Sequence, residues 1–283
     1  MLKLVTYLLF IMALPVAAQD VDTAAKSTII PEALLSQVAA GDAEAAYFIG
    51  KLFKEGLENE FQSIEADPKM AHEWFLKAAE LGYVHAMYEA ARYLYRDKQW
   101  AAAEKWLQQA ADNGHAESFY KLAYYAVYGL NETPKDCHVA YDKFEQAIIR
   151  GVRAASNDMA WMLSTLPEDN CRNGHRALKI FSDLESSYGQ QGRMPWAMID
   201  TKAAVLAEIA NYNGAVELQS WVVAGYCNMT ISELDDFSLI LEQYQADNPE
   251  QKNSRCEGFI KRLQTYVARK PWREPMELSN ESE

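Results

Sequence analysis

The chain has 283 residues, 49% of them apolar, four cysteines and a formal net charge of −13. That acidity repels phosphate before any specific contact can form, which argues against a nucleic-acid or anionic-membrane binder. Alanine is abundant and no alternating runs bounded by turn signals are found, so helices and no sheet are expected.

The chain opens on a targeting pattern. Lys3 is the only charge before Asp20, Leu4–Leu14 is almost unbrokenly apolar, and Pro15-Val16-Ala17-Ala18 offers small residues to a signal peptidase. Residues 1–18 are expected to be a signal peptide cleaved after Ala18. The apolar run falls short of the roughly 20 residues a membrane span needs, and no other stretch is long enough. No cysteine follows the cleavage site to carry a lipid. An uncleaved tether is the alternative. The mature chain, about 265 residues with a charge of −14 once Lys3 leaves, is expected in a periplasm or secreted.

From there a five-residue segment ending in glycine returns four times: Gln37–Gly41, Ala78–Gly82, Ala110–Gly114 and Ala147–Gly151. The glycines lie 41, 32 and 37 residues apart, the period of helix-pair solenoids. Eleven residues before the last three stand Ala71, Ala103 and Ala140; seven before stand Phe75, Leu107 and Phe144. Four residues after each glycine comes Ala45, Ala86, Ser118 or Ala155. Eight and nine after come Ile49-Gly50, Ala90-Ala91, Leu122-Ala123 and Met159-Ala160. The pattern reads as a helix stopped by a left-handed glycine, then a second helix whose small side chains admit a close neighbour.

The stretch Ala71 to Ala86, Ala-x-x-Trp-Phe-x-x-Ala-Ala-x-x-Gly-x-x-x-Ala, resembles the Sel1-like repeat, a relative of the tetratricopeptide repeat. The resemblance covers Gly41 to about Ala160. Asn157–Leu163 followed by Cys171-Arg172-Asn173-Gly174 and Ala177-Leu178 is similar to bacterial tetratricopeptide proteins. So is Asp200–Leu218, with Ala203, Tyr212 and Ala215 on its small–aromatic–small positions, and Leu263–Glu274 looks like the ending of such chains. Leu57–Asp67 inserts acidic residues into the first repeat, and Gly189–Pro195 interrupts the stack. The resemblance implies an all-α right-handed superhelix of about six helix pairs, from near Pro31 to near Arg269. Residues 31–188 would form the Sel1-like solenoid, and 196–270 a tetratricopeptide-like repeat and helical cap continuous with it.

Four cysteines in an exported chain point to disulfides, and three pairings exist. Cys137 and Cys171 stand just before the second helix of neighbouring repeats, 34 residues apart; Cys227 and Cys256 are 29 apart. Equivalent positions of adjacent repeats are neighbours, which favours 137–171 and 227–256. Cys137, His138, Cys171 and His175 form a zinc-competent set as the rival. The oxidising compartment favours the bridges, and no metal or other cofactor is expected. His72, His85 and His115 fall near helix starts and read as surface or packing residues.

No nucleophile elbow, His-Glu-x-x-His or phosphate loop is present, so no catalytic residue is assigned. Glu58, Glu60, Glu65 and Asp67 lack calcium-loop spacing and read as a solvated acidic loop. The triplets at Asn131, Asn228 and Asn280 match glycosylation acceptors, which matter only in a eukaryotic secretory pathway.

Solenoids present long exposed surfaces, which points to binding. In the tetratricopeptide stack the first helix of each repeat lines the concave surface. The resemblance therefore implies groove positions at six, ten and thirteen to fourteen residues after each glycine. They are Tyr47, Lys51 and Lys54; Tyr88, Arg92, Tyr95 and Arg96; Tyr120, Tyr124 and Tyr128; Asn157 and Trp161. The binding residues expected are Tyr88, Arg92, Tyr95, Arg96, Tyr120, Tyr124, Tyr128 and Trp161, of types that dominate interface energetics. These side chains are expected to face the groove and support no core, with packing against the next repeat as the alternative, foremost for Tyr47, Tyr88 and Tyr120 and less so for Arg92, Tyr95, Tyr124 and Tyr128. The expected function is a non-catalytic exported adaptor holding a segment of another envelope or secreted protein. A cell-wall polysaccharide binder is the variant. A β-lactam-binding or hydrolysing enzyme of the cysteine-rich Sel1-like type is the alternative, although those proteins carry cysteine pairs in nearly every repeat and Gly41–Gly114 has none.

Overall fold

A computed structural model describes residues 30–58, 63–188, 194–229, 237–248, 250 and 255–274. The signal-peptide segment 1–18, Glu60 and most of the Gly189–Pro195 interruption lie outside the described residues. The rest is an all-α solenoid of helix pairs, falling into two compact units that meet in sequence at Leu81 and Gly82.

The first unit contains α1 (Glu32–Ala39), α2 (Ala43–Glu55) and α3 (Pro68–Glu80). Asp42 caps α2 by accepting from the Ala45 amide at 3.0 Å, and Asp67 caps α3, with Pro68 at its first position. These residues offer the amides an acceptor that the helix itself cannot supply. α2 packs against α3 so closely that a Cβ added to Gly50 would lie 2.7 Å from the Phe75 ring. A glycine is needed there for space. The acidic insertion corrects the expectation of no sheet: Leu57–Glu58 and Ser63–Ile64 form a two-stranded antiparallel ladder, Leu57 opposite Ile64. Gly56, at φ 72°, ends α2 and turns the chain back, and Ile64 is buried under it. Strands of two residues are too short to show an alternating pattern.

The second unit continues with α4 (Val84–Arg96), α5 (Trp100–Asp112), α6 (Ala116–Tyr128) and α7 (Cys137–Ile149). It closes with α8 (Arg153–Thr165), α9 (Gly174–Tyr188), α10 (Trp196–Glu208), α11 (Tyr212–Tyr226), α12 (Phe237–Asp247) and α13 (Arg255–Val267). Helices pair in order as α4–α5, α6–α7, α8–α9 and α10–α11; α8 also packs on α10, and α13 on both α11 and α12. The positions four, eight and nine after each glycine are buried throughout this unit, as are Ala103, Leu107, Ala140 and Phe144.

The glycine-ended segment has a backbone cause. Gly41, Gly82, Gly114 and Gly151 all have φ between 83° and 92°. The residue after the glycine donates back to the carbonyl of the segment's first residue: Asp42 to Gln37 at 3.0 Å, His115 to Ala110 at 2.9 Å, Val152 to Ala147 at 3.0 Å. The same closure recurs without glycine at Lys98 (Gln99 to Leu94), Ala210 (Asn211 to Leu206) and Arg269 (Lys270 to Thr265). A side chain at left-handed φ costs about 1–2 kcal/mol.

Cys137 and Cys171 are bonded, as are Cys227 and Cys256, with Cα–Cα separations of 5.8 and 5.7 Å. The first bridge ties the start of α7 to the turn before α9, where the Tyr141 hydroxyl also donates to the Cys171 carbonyl at 2.7 Å. With its two sulfurs joined to each other, the Cys137–His175 set is not assembled for zinc.

Nothing lies within 4 Å of a Cβ added at Gly114, so Gly114→Ala should cost only the conformational term. Denaturant unfolding should show a loss of about 1–2 kcal/mol, while Ala210→Gly should raise stability by up to about 1 kcal/mol. The Cys137→Ser/Cys171→Ser pair should lower stability by about 3 kcal/mol on the chain-entropy account, read in the same titration.

Candidate binding face

The expected binding residues sit on α4, α6 and α8, the first helices of three successive pairs in the second unit. Tyr88, Tyr95, Tyr120, Tyr124, Tyr128 and Trp161 are half-buried; Arg92 and Arg96 are exposed. In the first unit the Tyr47 ring lies 5.5 Å from Phe75, and Lys51 lies 3.3 Å from Glu55.

The centre of the face is a carboxylate that the sequence reading missed. Asp158 on α8 accepts from the Tyr120 hydroxyl at 2.6 Å and from the Tyr124 hydroxyl at 2.5 Å on α6. Burial, followed by the Asp158 charge, pushes both phenols far above their ordinary pKa, so they remain donors. Tyr124 also stacks on Tyr128 at 5.6 Å and meets Phe144 edge-on at 5.7 Å. Tyr124 therefore locks α6 to α8 rather than projecting freely, because its hydroxyl has a charged acceptor one helix away. Asp158 occupies the seventh position after Gly151, where Glu89 and Lys121 stand after Gly82 and Gly114. A charge beside each expected groove position is the signal that would have found it.

Lys121 joins α4 to α6. Its ammonium lies 5.8 Å from both the Tyr95 and Tyr120 ring centroids. Burial, and then the neighbouring Arg92 charge, lowers its pKa. Among the described residues no carboxylate lies within ion-pair distance of it. Arg92 reaches Glu89 at 3.0 Å while staying open to solvent. Arg96 turns away: its guanidinium lies over Tyr93 at 4.8 Å. Tyr88 packs on buried His115 at 4.6 Å.

Trp161 is covered from within. Arg262 of α13 lies 5.3 Å over its ring while donating to Asp200 at 2.8 Å. Past α13 the chain returns over the same side: Trp272 packs with Ala203, Ala207 and Tyr266. The Arg273 guanidinium bonds the Ser164 carbonyl at 3.1 Å and pairs with Glu208 at 2.8 Å, and the Glu274 amide bonds the Thr165 carbonyl at 2.9 Å. A cavity of about 590 Å³ lies elsewhere, between α11 and α13, lined by residues such as Tyr212, Trp221 and Arg269. It touches none of the residues of the face. Among the described residues no helix is long and apolar enough to cross a membrane.

Tyr124→Ala should cost stability, about 2–4 kcal/mol for a half-buried aromatic and its charged hydrogen bond, whereas Arg92→Ala should leave the melting temperature unchanged. His115 supplies a pH test. Burial lowers its pKa against the opposing pull of Glu117, so the folded state favours neutral imidazole. That contribution is complete above the unfolded value of about 6.5 and is lost as pH falls through the depressed folded value. Below pH 6.5 the denaturation midpoint of the native chain should fall more steeply than that of His115→Gln.

The comparisons agree with this architecture. The Sel1 repeat family model matches residues 43–83, 84–115 and 116–151. No curated protein matches the sequence. Among solved structures, the chain is similar to a Sel1 repeat protein from Oxalobacter formigenes at 20% identity and a TM-score of 0.54, over 81% of this chain and 90% of that one. It is also similar to c5321, a protective antigen present in uropathogenic Escherichia coli strains displaying an SLR fold, at 12% identity and a TM-score of 0.52. That match covers 85% of this chain and 56% of the other. At these identities the likeness is one of fold.

Proposed function

For a chain whose residues 43–151 are three Sel1 repeats, we propose the role of a non-catalytic, exported adaptor that holds a segment of another envelope or secreted protein. Sel1 repeats are associated with protein–protein interaction, and two disulfides with an oxidising compartment. The observation that carries the reading is the row of half-buried tyrosines on α4 and α6 with Arg92 and Lys121 set among them. Aromatic rings offer large contact area at little entropic cost, and cations flanked by rings give direction to it. In this reading Tyr88, Arg92, Tyr95 and Tyr128 make the contacts, while Tyr120 and Tyr124 hold the platform and Trp161 is reached only where the returning chain leaves it. The signal peptide would deliver the chain, and the units 31–188 and 196–270 would act as one continuous scaffold.

The test begins with mass-spectrometric identification of what the mature chain captures from envelope extract, followed by titration of that protein. Arg92→Ala and Lys121→Ala should each weaken binding by about 1–3 kcal/mol without altering the circular dichroism spectrum. Unchanged affinity in both variants would remove the face from the account. Turnover of a chromogenic β-lactam by the purified chain would favour the enzymatic alternative instead.

A further inference from the structure

A second concavity lies away from the tyrosine-lined face. The cavity of about 590 Å³ between α11 and α13 falls in the range of about 300–1,000 Å³ usual for small-molecule sites. α11 is the second helix of its pair, whereas the tyrosine-lined face is built on first helices. Two links hold the walls together. The Cys227–Cys256 bridge ties the end of α11 to the start of α13, and the Gln219 side chain donates to the Phe259 carbonyl at 3.1 Å. The cavity lies where the start of α11 meets the end of α13. Walls held in this way are in place before anything enters, which spares a ligand the cost of ordering its site.

The lining has a definite chemistry. Asn213, Glu217, Ser220 and Trp221 recur at three- and four-residue spacing on α11 and so share one face. Tyr212 stands at the start of that stripe, and Arg269, just past α13, belongs to the other wall. Trp221 is 56% exposed, so its ring is open to whatever enters. The Ser220 hydroxyl has no hydrogen-bond partner among the described residues. Other helical hydroxyls donate to the carbonyl four residues back: Ser164 to Ala160, Thr201 to Ala197 and Thr265 to Lys261. Ser220 does not, and a buried hydroxyl left unmet is unfavourable until something bonds it.

These groups select the ligand. One carboxylate and one guanidinium leave the lining without net charge, and the chain as a whole stands at −13, so an anion finds no attraction there. An aliphatic chain would cover Asn213, Glu217 and Ser220 without bonding them. A pyranose ring meets both demands. Its C–H faces stack on an aromatic ring, and its hydroxyls, each donor and acceptor, bond acid, amide and guanidinium alike. Rings with equatorial hydroxyls, as in β-linked glucose and N-acetylglucosamine, present C–H bonds on both faces.

We propose that the α11–α13 cavity is a saccharide site taking a neutral β-linked pyranose chain. Trp221 is its stacking platform, and Asn213, Glu217, Ser220 and Arg269 bond the hydroxyls. The site shares no residue with the tyrosine-lined face and does not depend on the adaptor reading.

Saturation-transfer NMR and isothermal titration of the full mature chain with cellotriose and with chitotriose test it without any protein partner. Saturation should pass to the ring C–H protons of at least one of the two sugars at millimolar concentration. Trp221→Ala should weaken binding about tenfold, and Trp221→Phe, which keeps a ring, should restore most of it. Glu217→Gln should weaken it several-fold. Both side chains are exposed, so these variants should keep the native denaturation midpoint. Arg92→Ala, on the tyrosine-lined face, should bind sugar as the native chain does. Saturation of neither sugar, or unchanged affinity in both Trp221→Ala and Glu217→Gln, would overturn the proposal. So would tighter binding of a β-linked glucuronic acid trimer than of cellotriose, or loss of sugar binding in Arg92→Ala.

Discussion

The left-handed stop is the constraint on which the rest of the structure depends. One residue at φ near 90° lets the next amide reach back to a carbonyl five residues earlier, and this closes α1, α5 and α7. Because the turn is so short, the following helix starts with its face already chosen. Ala86, Ser118 and Ala155 then point into the stack, and Tyr88, Tyr120 and Asn157 come out two residues later on the other side. Register, core and the tyrosine-lined face are three consequences of one backbone conformation. Small core residues allow the helices to approach; the disulfides add a covalent restraint from Cys137 onward, where the turns lengthen.

The face that results is not a row of independent side chains. Asp158 draws in two phenols and spends them on the α6–α8 contact, while Arg262 lies over the rings of both Trp161 and Trp272. What stays available is concentrated on α4 and the near side of α6, where Arg92 and Lys121 sit among rings.

Much of this was legible in the sequence, for definite reasons. Glycine marks the left-handed position at Gly41, Gly82, Gly114 and Gly151, so four stops could be read and the core positions counted from them. Lys98, Ala210 and Arg269 adopt the same conformation with ordinary side chains, and no local residue announces them. The tyrosines of α4 and α6 appeared as a periodic row, but their fates differ through partners distant in the chain. Tyr124 meets Asp158 34 residues away, and Trp161 is covered by a helix beginning at Arg255. The ladder at Leu57–Ile64 escaped because two residues per strand carry no period. Periodicity reveals which way a side chain faces; what meets it there depends on tertiary contacts.

Side-chain oxidation by hydroxyl radicals, with and without the captured partner, tests the location of the binding face most directly. The account predicts that Tyr88, Tyr95 and Tyr128 lose reactivity in the complex while Trp106 on α5 and exposed Trp221 on α11 keep theirs. Protection of Trp106 or Trp221, with Tyr95 and Tyr128 oxidised at the same rate as in the free chain, would place the interface on another face and contradict it.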